Sequence, residues 1–316
     1  MARLEGLRSF GPMFQTILIG YDEPERGGEA IALAETLRDP HTGTLLLTSV
    51  YPPARLPVGG FVGPQDIEEL RDQTQELLLV ARDALPDRDR VMIRAIPSDS
   101  AVRALSEVAE AEQADLIVVG SSRRSALGRL LPGTTAERLL HDASCPVVVA
   151  PRGYSGGDIR RIGVAYDGSP EADAALRAAE SLALELPAAL TVYCVVEPTS
   201  PPAGMIAAGT GAEWPAHAAT ERAQRLLQGV VDDAPQGLKP EWLLLHGVPV
   251  AEIAGRAYGV VDLLFVGSRG FGPLRRALLG NVSGALVREA GCPVVVTPCS
   301  AIEPRRAQAS AASATA

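Results

Sequence analysis

The two halves of this 316-residue chain repeat one another, and that duplication constrains the fold more than any other feature. DLIVVGSS, starting at Asp115, returns as DLLFVGSR, starting at Asp262. SCPVVVAP, starting at Ser144, returns as GCPVVVTP, starting at Gly291. Both pairs are spaced by 147 residues. ILIGYD, ending at Asp22, returns as IGVAYD, ending at Asp167, with a spacing of 145. So small a difference over a whole unit leaves room only for minor loop changes. The chain is read as two related domains, at 13–152 and 159–299, joined by the polar segment RGYSGGD. Residues 300–316 form a small-residue tail that is expected to be disordered.

Each unit alternates apolar runs of strand length with longer segments of helical period. In the first, QTILIGY, TLLLTSVY, VMIRAI, DLIVVG and CPVVVA are predicted strands. In the second, they are RIGVAYD, LTVYCVVE, EWLLLHG, DLLFVGS and CPVVVTP. Only 5 Phe, 2 Trp and 6 Tyr are present, so the core must be built mostly of Leu, Val, Ile and Ala. That composition suits parallel strands buried on both faces. The predicted fold is α/β: two similar open sandwiches, each a mainly parallel five-stranded sheet flanked by helices. In such sheets ligands bind beyond the carboxyl ends of the strands. Asp167, Gly247 and Gly267 all follow apolar strands and are expected to converge there.

A formal net charge of −9 argues against a generic nucleic-acid binder, because no basic surplus exists to neutralise phosphates. MARLEGLRSFGPMF carries no sustained apolar core of the export-signal kind. Apolar runs elsewhere are too short to span a bilayer. The four cysteines form no close metal-type pair and read as free thiols, so a cytoplasmic, reducing setting is expected. The histidines at 41, 141, 217 and 246 fit loop, helix-end or surface positions; His246, beside Gly247, falls near the expected crevice, and His217 lies in a variable segment expected to loop over it. No dense His/Cys/Asp cluster suggests zinc, and no Ser-His-Asp order is convincing. No catalytic residue and no resident metal are assigned.

VGSRGFGPLRRALLGN, from Val266 to Asn281, is rich in glycine and leads into a helix opened by Asn281, Val282 and Ser283. It supports two readings. Backbone N–H groups at a helix start favour phosphate, and the Ser283 hydroxyl and Asn281 amide can donate further bonds. The same glycines also suit an ordinary turn. No GK[ST] follows, so this is not a P-loop. Asp167, followed by Gly168-Ser169-Pro170, can accept from an adenine amino group or a ribose hydroxyl. It can equally belong to a helix-capping turn.

Taken together, these features resemble the universal stress protein family in tandem form, over nearly the whole chain. The nucleotide-binding members of that family show a strand-end Asp near the N-terminus and G-x2-G-x9-G-[S/T] near the C-terminus. The second copy matches with Asp167, Gly267, Gly270 and Gly280, with Asn281 where Ser or Thr is usual. The resemblance implies that Asp167 contacts adenine or ribose, with Ala165, Tyr166, Val195 and Val266 lining the pocket. Gly247 belongs to the same set, and Gly280 through Ser283 would hold phosphates. ATP is the implied ligand, with Mg²⁺ able to accompany its phosphates.

The first copy keeps Asp22, Val50, Val119, Gly120, Gly133 and Thr134, with Thr135 beside it; Thr134 or Thr135 can cap the helix that follows. Arg123 replaces the second glycine, and its side chain can either fill the pocket or pair with phosphate. Glu23 adds negative charge beside Asp22. The resemblance implies an adenine-nucleotide-binding stress-response regulator acting through a conformational change or an unidentified protein partner. A slow ATP hydrolase and a nucleotide-independent interaction scaffold are the alternatives. In the resembling family the last strands often pair across a twofold axis. CPVVVAP and CPVVVTP can therefore form an internal pseudo-dimer, and further homodimerisation is open.

Overall fold

The computed structural model describes residues 14–53, 63–121, 134–198, 213–268 and 280–298. In the first half the order is β1 (Thr16–Gly20), α1 (Pro24–Leu37), β2 (Thr44–Tyr51), α2 (Pro64–Asp83), β3 (Val91–Pro97), α3 (Ala101–Ala111), β4 (Leu116–Gly120), α4 (Thr134–Asp142) and β5 (Val147–Ala150). The second half runs β6 (Arg161–Ala165), α5 (Pro170–Glu185), β7 (Ala189–Val196), α6 (Glu213–Asp232), β8 (Glu241–His246), α7 (Pro249–Ala257), β9 (Leu263–Gly267), α8 (Asn281–Glu289) and β10 (Val294–Thr297). The strand order is β3-β2-β1-β4-β5-β10-β9-β6-β7-β8, one continuous ten-stranded sheet.

Within each half every pairing is parallel. The two halves meet where β5 pairs antiparallel with β10, Val148 opposite Val295. Both valines are fully buried, and both point into the same core. The two CPVVV segments thus cover each other's edges, removing two unpaired backbone rows from water.

Both faces of the sheet are buried along its inner strands, which therefore read as apolar runs rather than as an alternation of apolar and polar residues, while the edge strands β3 and β8 are more exposed. In β1, Ile17 and Ile19 belong to one core and Leu18 to the other. The first core packs α1, α2, α5 and α6 against the sheet through residues such as Leu33, Leu78, Leu182 and Leu227. The second uses α3, α4, α7 and α8, through Leu105, Leu139, Ile253 and Leu286. Equivalent helices of the two copies therefore lie on the same face, and each core runs through both domains.

The repeated Asp of DLIVVG and DLLFVG is structural. Asp115 Oδ2 accepts from the N–H groups of Gln15 and Thr16 at 3.0 and 2.9 Å. Asp262 Oδ2 accepts from Arg160 and Arg161 N–H at the same two distances. Each carboxylate satisfies two backbone donors at the entry of a central strand, groups that the ladder does not reach. Burial alone would raise the Asp262 carboxyl. The Arg161 guanidinium, at 2.7 Å, and those N–H groups outweigh it and hold the carboxyl below its ordinary value.

The linker is anchored rather than loose. Gly153 N–H donates to Glu29 Oε1 at 2.6 Å, Tyr154 packs on the first core, and Ile159 is buried. Among the described residues no helix is long and apolar enough to cross a membrane. The tail expected at 300–316 lies outside the described residues.

Candidate functional site

At the carboxyl ends of β6, β7 and β9 a crevice opens, with about 650 Å³ of space including its mouth. Ala165, Tyr166 and Asp167 line it from the end of β6, and Val266 and Gly267 from β9. From β7 come Tyr193 and Val195, alternate residues that share one face of the strand, and Glu197 follows just past its end. Three helix starts close the rim: Ser169 and Ala172 of α5, Pro249 and Ile253 of α7, and Val282 and Ser283 of α8. Ala165, Val195, Val266 and Ile253 give the crevice apolar wall, while the exposed Asp167 and Glu197 add two carboxylates. Such a site accepts a flat apolar group that carries its own N–H or O–H donors.

Asp167 closes the turn its sequence context allowed. Its Oδ1 accepts from Ser169 N–H at 3.0 Å, closing a turn, and Ser169 Oγ caps α5 by accepting from Ala172 N–H at 3.2 Å. The same Asp167 lines the crevice. Tyr166 donates its hydroxyl to Asp173 Oδ1 at 2.6 Å. Burial, reinforced by that bond, pushes the phenol well above its ordinary value. The Tyr166 hydroxyl proton is thereby committed to Asp173.

Gly267 is small for a packing reason. A Cβ there would lie 2.5–2.7 Å from the backbone of Glu171 and Ala172, inside van der Waals contact. Gly120 is alike: a Cβ would meet the Arg26 carbonyl oxygen at 2.6 Å. In both copies the first turn of a helix sits directly on the strand end. The turn reading of these glycines thus gains a specific cause, and Gly267 still borders the crevice.

Ser283 lines the crevice with its hydroxyl already engaged. It is buried, and its hydroxyl donates to the Gly267 carbonyl at 2.7 Å. Its single O–H is spent tying α8 to β9, which leaves the backbone N–H groups at the start of α8 as the donors there. Gly280 is the N-cap of that helix and Asn281 its exposed first residue; neither lines the crevice. Gly247 also stands off the crevice wall. At φ 148° it turns β8 into α7, where a side chain would be strained, and it thereby sets the position of Pro249 and Ile253. Gly270, Arg269, Arg275 and Arg276 lie outside the described residues.

In the first copy Asp22, Val50, Val119 and Gly120 all stand at the ends of the adjacent strands β1, β2 and β4. There Arg26 pairs with Asp22 at 2.8 Å and with Glu23 at 2.6 Å. Thr134 and Thr135 open α4, whereas Gly133 and Arg123 lie outside the described residues. His246 is exposed, with Nε2 3.3 Å from Thr220 Oγ1, and His217 lies 3.3 Å from Glu221. Cys194 and Cys292 are buried, and burial pushes the Cys292 thiol up to about 12. Among the described residues no group of three or more His, Cys, Asp or Glu is placed to hold a metal ion.

Sequence reasoning missed Ser169, Ala172, Tyr193, Glu197, Pro249 and Ile253. Tyr193 and Glu197 were within reach, because the two-residue period that selects Val195 also selects 193 and, continued one residue past the strand, 197. Pro249 and Ile253 depend on how α7 folds back over the strand ends, which no local pattern records.

The model of the universal stress protein family matches this chain twice, at residues 13–151 and 158–298. A universal stress protein of Mycolicibacterium smegmatis is 27% identical over 302 residues, covering 89% of this chain and 96% of that one. A Thermus aquaticus universal stress protein, encoded in the QAH/OAS sulfhydrylase 3' region, is 29% identical over 143 residues, covering 43% of this chain and 98% of its own. The crystal structure of a universal stress protein from Archaeoglobus fulgidus superposes with a TM-score of 0.66 at 20% identity, covering 90% of this chain and 98% of that one. With both halves matched by the family model and one ten-stranded sheet uniting them, the chain belongs to the universal stress protein family.

Proposed function

We propose that the second domain binds an adenine nucleotide, ATP being the favoured ligand, and that the chain acts as a nucleotide-responsive regulator in a stress response. The observation that carries this reading is the meeting of Asp167, Val195, Val266 and the start of α8 around one crevice. An adenine ring suits the apolar walls formed by Ala165, Val195, Val266 and Ile253. Asp167 and Glu197 suit the amino and ribose hydroxyl donors. Phosphates suit the N-terminal end of α8, where N–H groups and the helix dipole favour negative charge. Mg²⁺ would offset the charge between those phosphates and the two acids, both hard oxygen donors.

The reading is one of binding rather than turnover: among the described residues the lining sets the carboxylates of Asp167 and Glu197 beside apolar groups and the hydroxyl side chains of Tyr166, Ser169, Tyr193 and Ser283. Occupancy would act by stabilising one arrangement of the helix starts that frame the crevice, and a protein partner would read that arrangement. The two buried thiols accord with a cytoplasmic setting. The test is to incubate the purified chain with ATP and Mg²⁺, remove unbound ligand by rapid gel filtration, denature, and chromatograph what is released. Adenine nucleotide released in proportion to protein supports the reading, and an empty protein opposes it.

A further inference from the structure

We infer that Arg26 closes the crevice of the first domain, so that the chain carries one nucleotide site and not two; this rests on the reading of the second domain just proposed. Asp22 stands at the end of β1 as Asp167 stands at the end of β6, and each is followed by a helix seated on a neighbouring strand-end glycine. In the first domain the Arg26 Nη2 donates to Asp22 Oδ2 at 2.8 Å, and its Nε donates to Glu23 Oε1 at 2.6 Å. One guanidinium thus holds two carboxylates at the place where a ligand would present its own donors.

Three features keep the clamp in place. The backbone of Arg26 is fixed, because the first turn of α1 is packed against Gly120 with no room for a Cβ between them. A cation in a first helical turn faces the positive end of the helix dipole, so Arg26 depends on the two acids for compensation. The Glu23 carboxylate is engaged by Arg26 and makes no side-chain cap for α1, whereas Ser169 caps α5.

The second domain cannot copy the arrangement. The residue whose carbonyl sits on Gly267, as that of Arg26 sits on Gly120, is Glu171. A glutamate there carries the same charge as Asp167 and repels it where arginine would bridge. One residue type, at one position of the repeat, thereby separates an open crevice from a clamped one. Two partly exposed ion pairs sharing a guanidinium correspond to a closure of about tenfold in affinity.

The test is native mass spectrometry of the full chain with ATP and Mg²⁺, at the lowest concentration that saturates the wild type. Wild type should carry one nucleotide per chain, Asp167→Ala none, Arg26→Ala two, and the double variant one. Arg26→Gln, which keeps a similar stem but loses the charge, should match Arg26→Ala and guards against a folding defect in it. Two nucleotides on the wild type overturn the inference, as does a single one that is lost in Asp22→Ala and kept in Asp167→Ala. Arg26 variants that gain no nucleotide also overturn it. A wild type that binds nothing while both Arg26 variants bind one would sink the second-domain reading and leave the Arg26 clamp standing.

Discussion

The Ser283 hydroxyl donates to the Gly267 carbonyl across 2.7 Å, joining the start of α8 to the end of β9 in a buried position. The bond fixes one wall of the crevice against another. Ser283→Ala removes the donor and leaves the carbonyl unpaired at this place. The variant should lose about 1–2 kcal/mol of stability, read by urea unfolding. Because the hydroxyl is already committed, any loss of nucleotide affinity should follow from that loosening and be partly recovered in Ser283→Thr.

Gly267→Ala should cost about 1–3 kcal/mol, because the new methyl would press on the backbone of Glu171 and Ala172 rather than on a side chain that can swing away. Gly120→Ala should behave alike through the Arg26 carbonyl. Thermal unfolding of both variants checks this. A neutral result at Gly267 would mean that α5 can retreat from the strand end at no cost.

Much of this architecture is legible in the sequence. The 145- and 147-residue spacings fixed two copies, and the apolar strands pointed to a sheet buried on both sides. Asp167, Val195 and Val266 were placed at one crevice by strand-end position and family resemblance together. The sequence could not say which way a hydroxyl points: Ser283 lines the crevice with its O–H turned to the Gly267 carbonyl. Nor could it separate a glycine needed by a ligand from one needed by a helix, since Gly267 looks the same in both cases. The Asp22–Arg26 spacing of four was visible; that the two meet depends on α1 starting at Pro24.

Glu180 gives the fold a pH dependence near neutrality. It is buried on α5, and burial raises its carboxyl from 4.5 to about 7; Arg177 lowers it and Asp233 raises it by smaller amounts. Between those two values the folded chain keeps a proton that the unfolded chain has lost. Stability from this group is therefore full below 4.5, falls as the pH rises toward 7, and is flat above. The change is at most about 3 kcal/mol. Glu180→Gln should remove it, making the variant more stable than wild type at pH 8 and closer to it at pH 5. Urea unfolding at the two pH values, compared between the proteins, reads the difference.

Asp262→Ala should cost about 2–4 kcal/mol, since it strips two backbone N–H groups of their acceptor and Arg161 of its partner. Amide exchange at Arg160 and Arg161 should quicken first. Wild-type exchange rates at those two amides would contradict the role assigned to this carboxylate.

The central claim is that the crevice at the ends of β6, β7 and β9 is a nucleotide site in which Asp167 is a ligand-facing acceptor. Isothermal titration of ATP with Mg²⁺ into the wild type and into Asp167→Ala tests it most directly. Saturable binding to the wild type is expected, with an affinity at least tenfold weaker in the variant and the unfolding transition of the free variant retained. Absence of binding to the wild type, or equal binding by both proteins, would contradict it.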